Sequence, residues 1–202
     1  MKKIRALLIL TIALLTISCP AAAASQKAAV KKVTNNYLKA VKTLNDKKMA
    51  KYTEGETVED TAEESALFKT IRKYNKKYFS YKIKSVKISG NQTKASVKVS
   101  IKYKSLYKAF YKSTLQAMNK SYKLASEKGQ EVSEAQLVKD IETALKKNIR
   151  KYPAKTKNVR MTIKLVKTDK GWMVDSNAFK SMDPFVCDMM KGLMKAQKDF
   201  EK

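Results

Sequence analysis

The chain of 202 residues contains no histidine and only two cysteines, Cys19 and Cys187. Without histidine there is no Ser–His or Cys–His nucleophile pair and no imidazole general base, and ordinary zinc sites are excluded as well. The five glycines all stand singly, so the chain also lacks a glycine-rich phosphate loop. These absences favour a binding protein over an enzyme, and we expect neither a metal site nor a cofactor.

Long apolar runs are also missing, apart from one at the beginning of the chain. Residues 6–18 carry no charge and follow Lys2, Lys3 and Arg5. A helix that crosses a bilayer needs about 20 apolar residues, and Pro20 interrupts this run before that length. The pattern is typical of a secretory signal peptide and predicts an exported protein with a signal over residues 1–24.

Two processing signals overlap at the end of this run. Ala22 and Ala24 provide the small residues that signal peptidase I reads, which predicts cleavage between Ala24 and Ser25 and a secreted mature chain. Cys19 follows a small residue, as in a lipoprotein signal, so lipidation at Cys19 and anchoring to the outer face of the membrane are the alternative. Pro20 directly after the cysteine weakens that alternative.

The charge of the chain is strongly one-sided. Lysine and arginine number 44 against 18 acidic residues, and loss of Lys2, Lys3 and Arg5 with the signal lowers the net charge from +26 to +23. Such a field attracts polyanions, for which anionic wall polymers, phospholipid head groups and stray nucleic acid are the candidates. Only three arginines follow the signal, so specific nucleic-acid recognition is not expected. A preference for lysine codons would explain the excess equally well.

Helical spacing dominates the N-terminal part of the exported chain. A helix is predicted from Ala28 to about Asn45, followed by a short one that holds Met49 and Tyr52. The acidic segment 54–64 ends in a capping box at residues 61–64, which predicts a third helix through Ile71 and Tyr78.

The spacing then changes to strict alternation. Residues 79–88 alternate with a change of parity that predicts a bulge near Ser85, and a turn follows at Gly90 and Asn91. In the next strand, residues 94–104, apolar side chains face one way and lysines the other, as in a sheet with one solvated face. The candidate polyanion-binding residues on that face are Lys94, Lys98, Lys102 and Lys104.

Helices return after this strand. Residues 105–128 and 133–152 predict a helical hairpin, with Gly129 at the end of the first helix and Ser133 capping the second. Two further strands follow around the turn at residues 169–171. A final helix is predicted over residues 183–200, with Asp183 as its cap and Pro184 in the first turn.

A few side chains suit chemistry or ligand binding. Asp175, at the end of the last strand, is the one weak candidate for a general base, although satisfying a turn explains it as well. Methionine and aromatic residues near the C-terminal helix suit either an apolar ligand site or an ordinary core. The candidates for such a site are Tyr103, Tyr107, Phe110, Tyr111 and Met189. Cys187 is expected to be a buried apolar residue on a helix.

The order of elements predicts an α+β fold. The segments VTNNYLKAVKTLNDKKMAKY (33–52), the strand pair from Phe79 to Tyr103 and TDKGWMVD (168–175) resemble the nuclear-transport-factor-two-like, or cystatin-like, cone fold. More narrowly, the chain resembles small exported domains of Gram-positive bacteria, often lipoproteins, whose function is uncharacterised. The resemblance implies one domain over residues 25–202, with N-terminal helices packed on a curved antiparallel sheet of about four strands. The hairpin inserted at 105–152 and the C-terminal helix depart from the cone pattern.

Three functions are compatible with these features. The leading one is a non-enzymatic binding or scaffold domain of the bacterial cell envelope. The second is a small enzyme or apolar-ligand carrier that uses the cone pocket, and the third is binding of wall polymers through the lysine-rich sheet face.

The processing hypothesis makes a direct prediction. We expect the exported protein to have the mass of residues 25–202, without added lipid, because the alanine pair and Pro20 are placed for signal peptidase I. Mass spectrometry of the native protein measures this. A chain that begins at Cys19 and carries acyl groups, which a Cys19→Ala variant loses, would contradict the prediction.

Overall fold

A computed structural model describes residues 20–57, 65–178 and 182–201, with side chains from Ala24 onward. The described helices and strands, in chain order, are α1 (Pro20–Lys42), α2 (Asp46–Ala50), α3 (Ala66–Tyr78), β1 (Ser80–Ile88), β2 (Lys94–Lys104), α4 (Tyr107–Lys128), α5 (Glu134–Lys151), β3 (Thr156–Thr168), β4 (Gly171–Val174), a 3₁₀ helix (Asp183–Val186) and α6 (Met189–Phe200). This order confirms the predicted α+β fold, with a helical hairpin between β2 and β3 and a C-terminal helix. Within the described ranges, no helix is long and apolar enough to cross a membrane.

The four strands form one curved, unclosed antiparallel sheet in the order β1-β2-β3-β4. Strand β2 lies in the centre of the long part of the sheet, and its alternation buries Val97, Val99 and Ile101 on one face. The predicted bulge is present, because the β1–β2 register shifts between Ile83 and Ser85. The shift restores the apolar parity of β1, so that apolar residues before and after it face the core.

The inward face of the sheet packs against α1 and the C-terminal segment. Val30, Leu38 and Val41 of α1 are buried in the same cluster as the inward side chains of β2 and β3. Phe185 of the 3₁₀ helix lies in this cluster too, with its ring centroid 6.4 Å from both Tyr37 and Phe79. The C-terminal segment therefore packs between the helices and the sheet.

A second cluster joins the helical hairpin to α6. Its buried members include Phe110, Ile141 and Leu145. Helix α6 approaches α4 very closely, because a Cβ atom built on Gly192 would lie 2.8 Å from the Tyr107 carbonyl oxygen. The helical spacing of Tyr107, Tyr111, Leu115, Met118 and Tyr122 in the sequence predicts that they form the apolar face of α4. This prediction is wrong, because Tyr107 and Tyr122 are exposed.

The buried residues of α4 are mostly small ones: Ala109, Phe110, Ser113, Thr114 and Ala117. Small side chains let two helix backbones approach, whereas tyrosines at the same positions would hold them apart.

Two helix boundaries also differ from prediction. Helix α1 begins at Pro20 rather than at Ala28, since proline is tolerated in the first turn of a helix. The predicted capping box at residues 61–64 lies outside the described residues. Helix α3 begins later, with Ser65 as the residue whose hydroxyl accepts the Phe68 N–H bond.

The C-terminal helix is not continuous over residues 183–200. The 3₁₀ helix ends at Val186, and Cys187 and Asp188 both adopt left-handed conformations, with φ of 54° and 60°, before α6 begins. The N-cap position of the 3₁₀ helix is Met182 rather than the predicted Asp183, which is the first helical residue. Two successive non-glycine residues at positive φ are energetically costly, so strong contacts must hold them.

The contacts that hold this corner converge on the Asp188 carboxylate, which is only 1% exposed. Tyr103 donates a hydrogen bond to Oδ1 at 2.9 Å, and Ser105 donates one to Oδ2 at 2.5 Å. The Lys157 ammonium lies 2.7 Å from Oδ2. The carboxylate thus ties the C-terminal segment to the end of β2 and the beginning of β3.

Burial by itself would raise the pKa of Asp188, but its surroundings outweigh that effect. The hydrogen bonds from Lys157, Ser105 and Tyr103, with the positive charge of Lys157, hold the pKa below its usual value. A carboxyl group with a depressed pKa stabilises the fold above its unfolded pKa, about 3.9, and loses that contribution as the pH falls through the folded pKa.

We expect Asp188→Asn to lower the free energy of unfolding by about 2 kcal/mol at pH 7, because it removes the buried charged acceptor of the hydrogen bonds from Tyr103 and Ser105. Asparagine tolerates a left-handed backbone, so the substitution tests the charge rather than the conformation. The difference between variant and wild type should shrink below about pH 4, where the wild-type carboxyl group becomes protonated. Urea unfolding at several pH values measures both effects.

Asp175→Asn is the matched control. Its carboxylate accepts only a turn hydrogen bond from the Asn177 N–H group, which an asparagine oxygen also accepts. We expect this variant to stay close to wild type at every pH. A loss for Asp188→Asn no larger than for Asp175→Asn would contradict the structural role of Asp188.

Candidate functional site: the outward face of the sheet

The face of the sheet turned away from the helices carries a group of basic side chains, which we call the cationic face. Its members are Lys82, Lys84 and Lys87 of β1, Lys94, Lys98, Lys102 and Lys104 of β2, and Arg160 and Lys164 of β3. Alternation along each strand places them opposite the buried apolar residues. The bulge at Lys84 is essential here, because without it Lys87 would point toward the core.

The strand register arranges these cations in a regular pattern. Ser100 of β2 is paired with Lys82 on one side and Arg160 on the other, and Ser96 is paired in the same way with Lys87 and Lys164. Lys98, between the two serines, is itself flanked by Ser85 and Thr162. Cations and hydroxyl groups therefore alternate both along and across the strands.

The charge of this face is not neutralised by its neighbours. Strands β1, β2 and β3 contain no aspartate or glutamate. Among the residues that the structure describes, no member of the cationic face forms an ion pair. Lys104 makes a cation–π contact, with its Nζ 4.6 Å from the centroid of the Tyr78 ring. Seven of the nine are exposed lysines, and Arg160 is exposed as well. Such a surface attracts anions over a long range.

Two open depressions lie on this face. One, of about 480 Å³, is lined by Lys84, Lys98, Arg160 and Thr162. The other, of about 460 Å³, is lined by Lys87, Lys94 and Lys164 among others, with Asp175 also in its lining. Each depression thus presents three basic side chains to solvent.

The structure brings the four predicted polyanion-binding lysines together. Lys94, Lys98, Lys102 and Lys104 all belong to the cationic face. Sequence reasoning missed the five cations that β1 and β3 add. The alternation of β3 would have indicated Arg160 and Lys164, but only the strand order shows that they lie beside β2.

The five residues proposed for an apolar ligand site do not form one site. Tyr103 is buried in the core beneath the sheet, whereas Phe110 and Met189 belong to the cluster of the helical hairpin. Tyr107 is 37% exposed and stacks on Tyr111 at 6.4 Å between ring centroids. The Tyr111 hydroxyl donates a hydrogen bond to Asp199. They are thus divided between two clusters and the surface.

The remaining chemical candidates are engaged in structural contacts. Asp175 is half-buried at the end of β4, where it accepts the turn hydrogen bond from Asn177. Cys187 is buried as predicted, but between two helices rather than on one, and its thiol lies 3.2 Å from Asn75 Oδ1. Burial, with the nearby Asp188 charge, raises the pKa of the Cys187 thiol to about 12, so it stays protonated. The described residues contain no cluster of metal-ligating side chains.

The processing signals lie at the edge of the described structure. Cys19 is outside the described residues, and Ala24 and Ser25 are exposed on α1. Gln26 follows at once, and its side-chain oxygen accepts a 2.7 Å hydrogen bond from the Trp172 indole. Cleavage before Ser25 would thus leave the contact between α1 and β4 intact.

Comparison of the chain with protein-family models, with curated proteins and with solved structures finds no match in any of the three. The resemblance to the cone fold family stays a prediction, and any function has to be argued from the surface described above.

Proposed function

We propose that this protein is an exported, non-enzymatic binding module of the bacterial cell envelope, and that it binds a polyanion across the cationic face of its sheet. The observation that supports this most directly is the concentration of nine cations, with no acidic residue in the three strands that carry them. A preference for lysine codons alone would place lysine on every surface, and it would not exclude acidic residues from the three strands of one face.

Several acidic residues of the described chain lie on the helical side, whereas Asp175 borders one depression of the cationic face. Asp140 and Glu142 of α5 and Asp199 of α6 form ion pairs with lysines of the hairpin and the C-terminal helix. The helical side of the molecule is thus partly neutralised, and the sheet side is not. A polyanion therefore meets a strongly attractive surface on one side of the protein.

Lysine predominates on this face, which suits a diffuse charge interaction. Its ammonium is a mobile point charge, whereas arginine is favoured for bidentate recognition of a fixed group. Binding should therefore depend on charge density and release counterions, with an affinity that falls as salt rises.

The test compares two triple variants that lose the same charge. Lys82→Gln, Lys98→Gln and Arg160→Gln remove neighbouring cations at the centre of the face. We expect this variant to bind poly(glycerol phosphate) about 10- to 100-fold more weakly, since a basic residue near an anionic surface contributes about 1 kcal/mol. Fluorescence anisotropy with labelled polymer, at about 50 and about 200 mM salt, gives the affinity and its salt dependence.

The control variant carries Lys139→Gln, Lys147→Gln and Lys198→Gln, three exposed lysines of α5 and α6. It should bind almost as tightly as wild type and with the same salt dependence. Equal weakening of both variants would show that net charge alone matters, and absence of salt-dependent binding by wild type would reject the proposed function.

A further inference from the structure

We infer that the polyanion bound by this face is a flexible phosphate polymer without nucleobases. The inference rests on the proposed function and adds the class of ligand, which the side chains of the outward face and their spacing indicate.

The cations are spaced for a chain with a repeating charge. Lys98 lies at the centre of a rectangle whose corners are Lys82, Arg160, Lys87 and Lys164, as the register shows. Neighbouring strands are about 4.8 Å apart, and residues two apart on a strand about 6.7 Å, so each corner lies about 8 Å from the centre. A flexible chain can bring successive charged groups to neighbouring cations of such a lattice.

Hydroxyl groups occupy the positions between these cations. Ser96 and Ser100 each lie between two cations of the neighbouring strands, and Ser85 and Thr162 flank Lys98. A hydroxyl group can donate a hydrogen bond to an anionic oxygen while the ammonium groups on either side supply charge. Phosphate groups, with several acceptor oxygens, can use both kinds of donor at once.

The strands that form this face offer nucleobases no outward aromatic ring to stack on. Sheet surfaces that bind single-stranded nucleic acid stack bases on aromatic side chains. Here both sheet tyrosines point inward, where the Tyr81 hydroxyl bonds to Asn35 and the Tyr103 hydroxyl to Asp188. The outward positions of β1, β2 and β3 within the described chain hold no aromatic residue. A nucleic acid would thus lack the stacking on strand aromatics that such sheet surfaces normally provide, whereas a polymer without bases loses nothing.

The experiment is a competition with labelled poly(glycerol phosphate) on the full exported protein. The competitors are unlabelled poly(glycerol phosphate), single-stranded oligo(dT) and polyglutamate, matched for number of charges. We expect the glycerol phosphate polymer to compete at concentrations at least about tenfold lower than either alternative, since only it offers phosphate without bases. An Asn158→Tyr variant, at an exposed outward position paired with Lys102, should bind oligo(dT) about tenfold more tightly, because it adds a stacking platform, and should leave the glycerol phosphate affinity unchanged.

Each of the other outcomes would overturn either the inferred class of ligand or the proposed function itself. Oligo(dT) competing as well as the glycerol phosphate polymer, or better, would show a nucleic-acid-binding face and overturn the inference while the proposed function stands. Polyglutamate competing equally well would overturn the preference for phosphate. Oligo(dT) binding by Asn158→Tyr that is no tighter than that of wild type would contradict the stacking argument. Absence of salt-dependent binding to all three polymers would instead remove the proposed function itself.

Discussion

The fold depends on a buried carboxylate at the corner where the C-terminal segment meets the sheet. Asp188 receives hydrogen bonds from Tyr103 and Ser105 and the charge of Lys157, and this holds two successive residues in left-handed conformations. The corner places Phe185 among the helix and sheet side chains on one side and α6 against α4 on the other. Because Lys157 is paired with Asp188 at this corner, its charge is partly neutralised. A neutral side chain at position 188 would leave the ends of β2 and β3 without their link to the last helix.

The proposed function rests on the one-sided burial of the sheet. Helix α1 and the C-terminal segment pack on the inward face, where Phe185 is buried among their side chains. The outward face has no layer over it among the described residues and carries lysine, serine and threonine at alternating positions. The geometry therefore gives more support to a binding surface than to a pocket enzyme or a carrier of apolar ligands.

Much of the fold could be predicted because its signals are local. The alternation of residues 94–104, the parity change near Ser85 and the turn at Gly90 each follow from neighbouring residues, and all three are present. The errors came from long-range contacts. The break at Cys187 depends on Tyr103, which lies 85 residues from Asp188 in the sequence, and the face of α4 depends on the approach of Gly192. Likewise, the lysines of β2 were evident in sequence, but their partners on β1 and β3 required the strand order.

The central claim is that a polyanion binds on the outward face of the sheet, and lysine footprinting measures this directly. The native protein is acetylated briefly with and without poly(glycerol phosphate), and the modified lysines are located by mass spectrometry. The account predicts strong protection of Lys82, Lys98 and Lys164, with little change at Lys139 and Lys147 on α5. Protection spread evenly over all five lysines, or concentrated on α5, would contradict it.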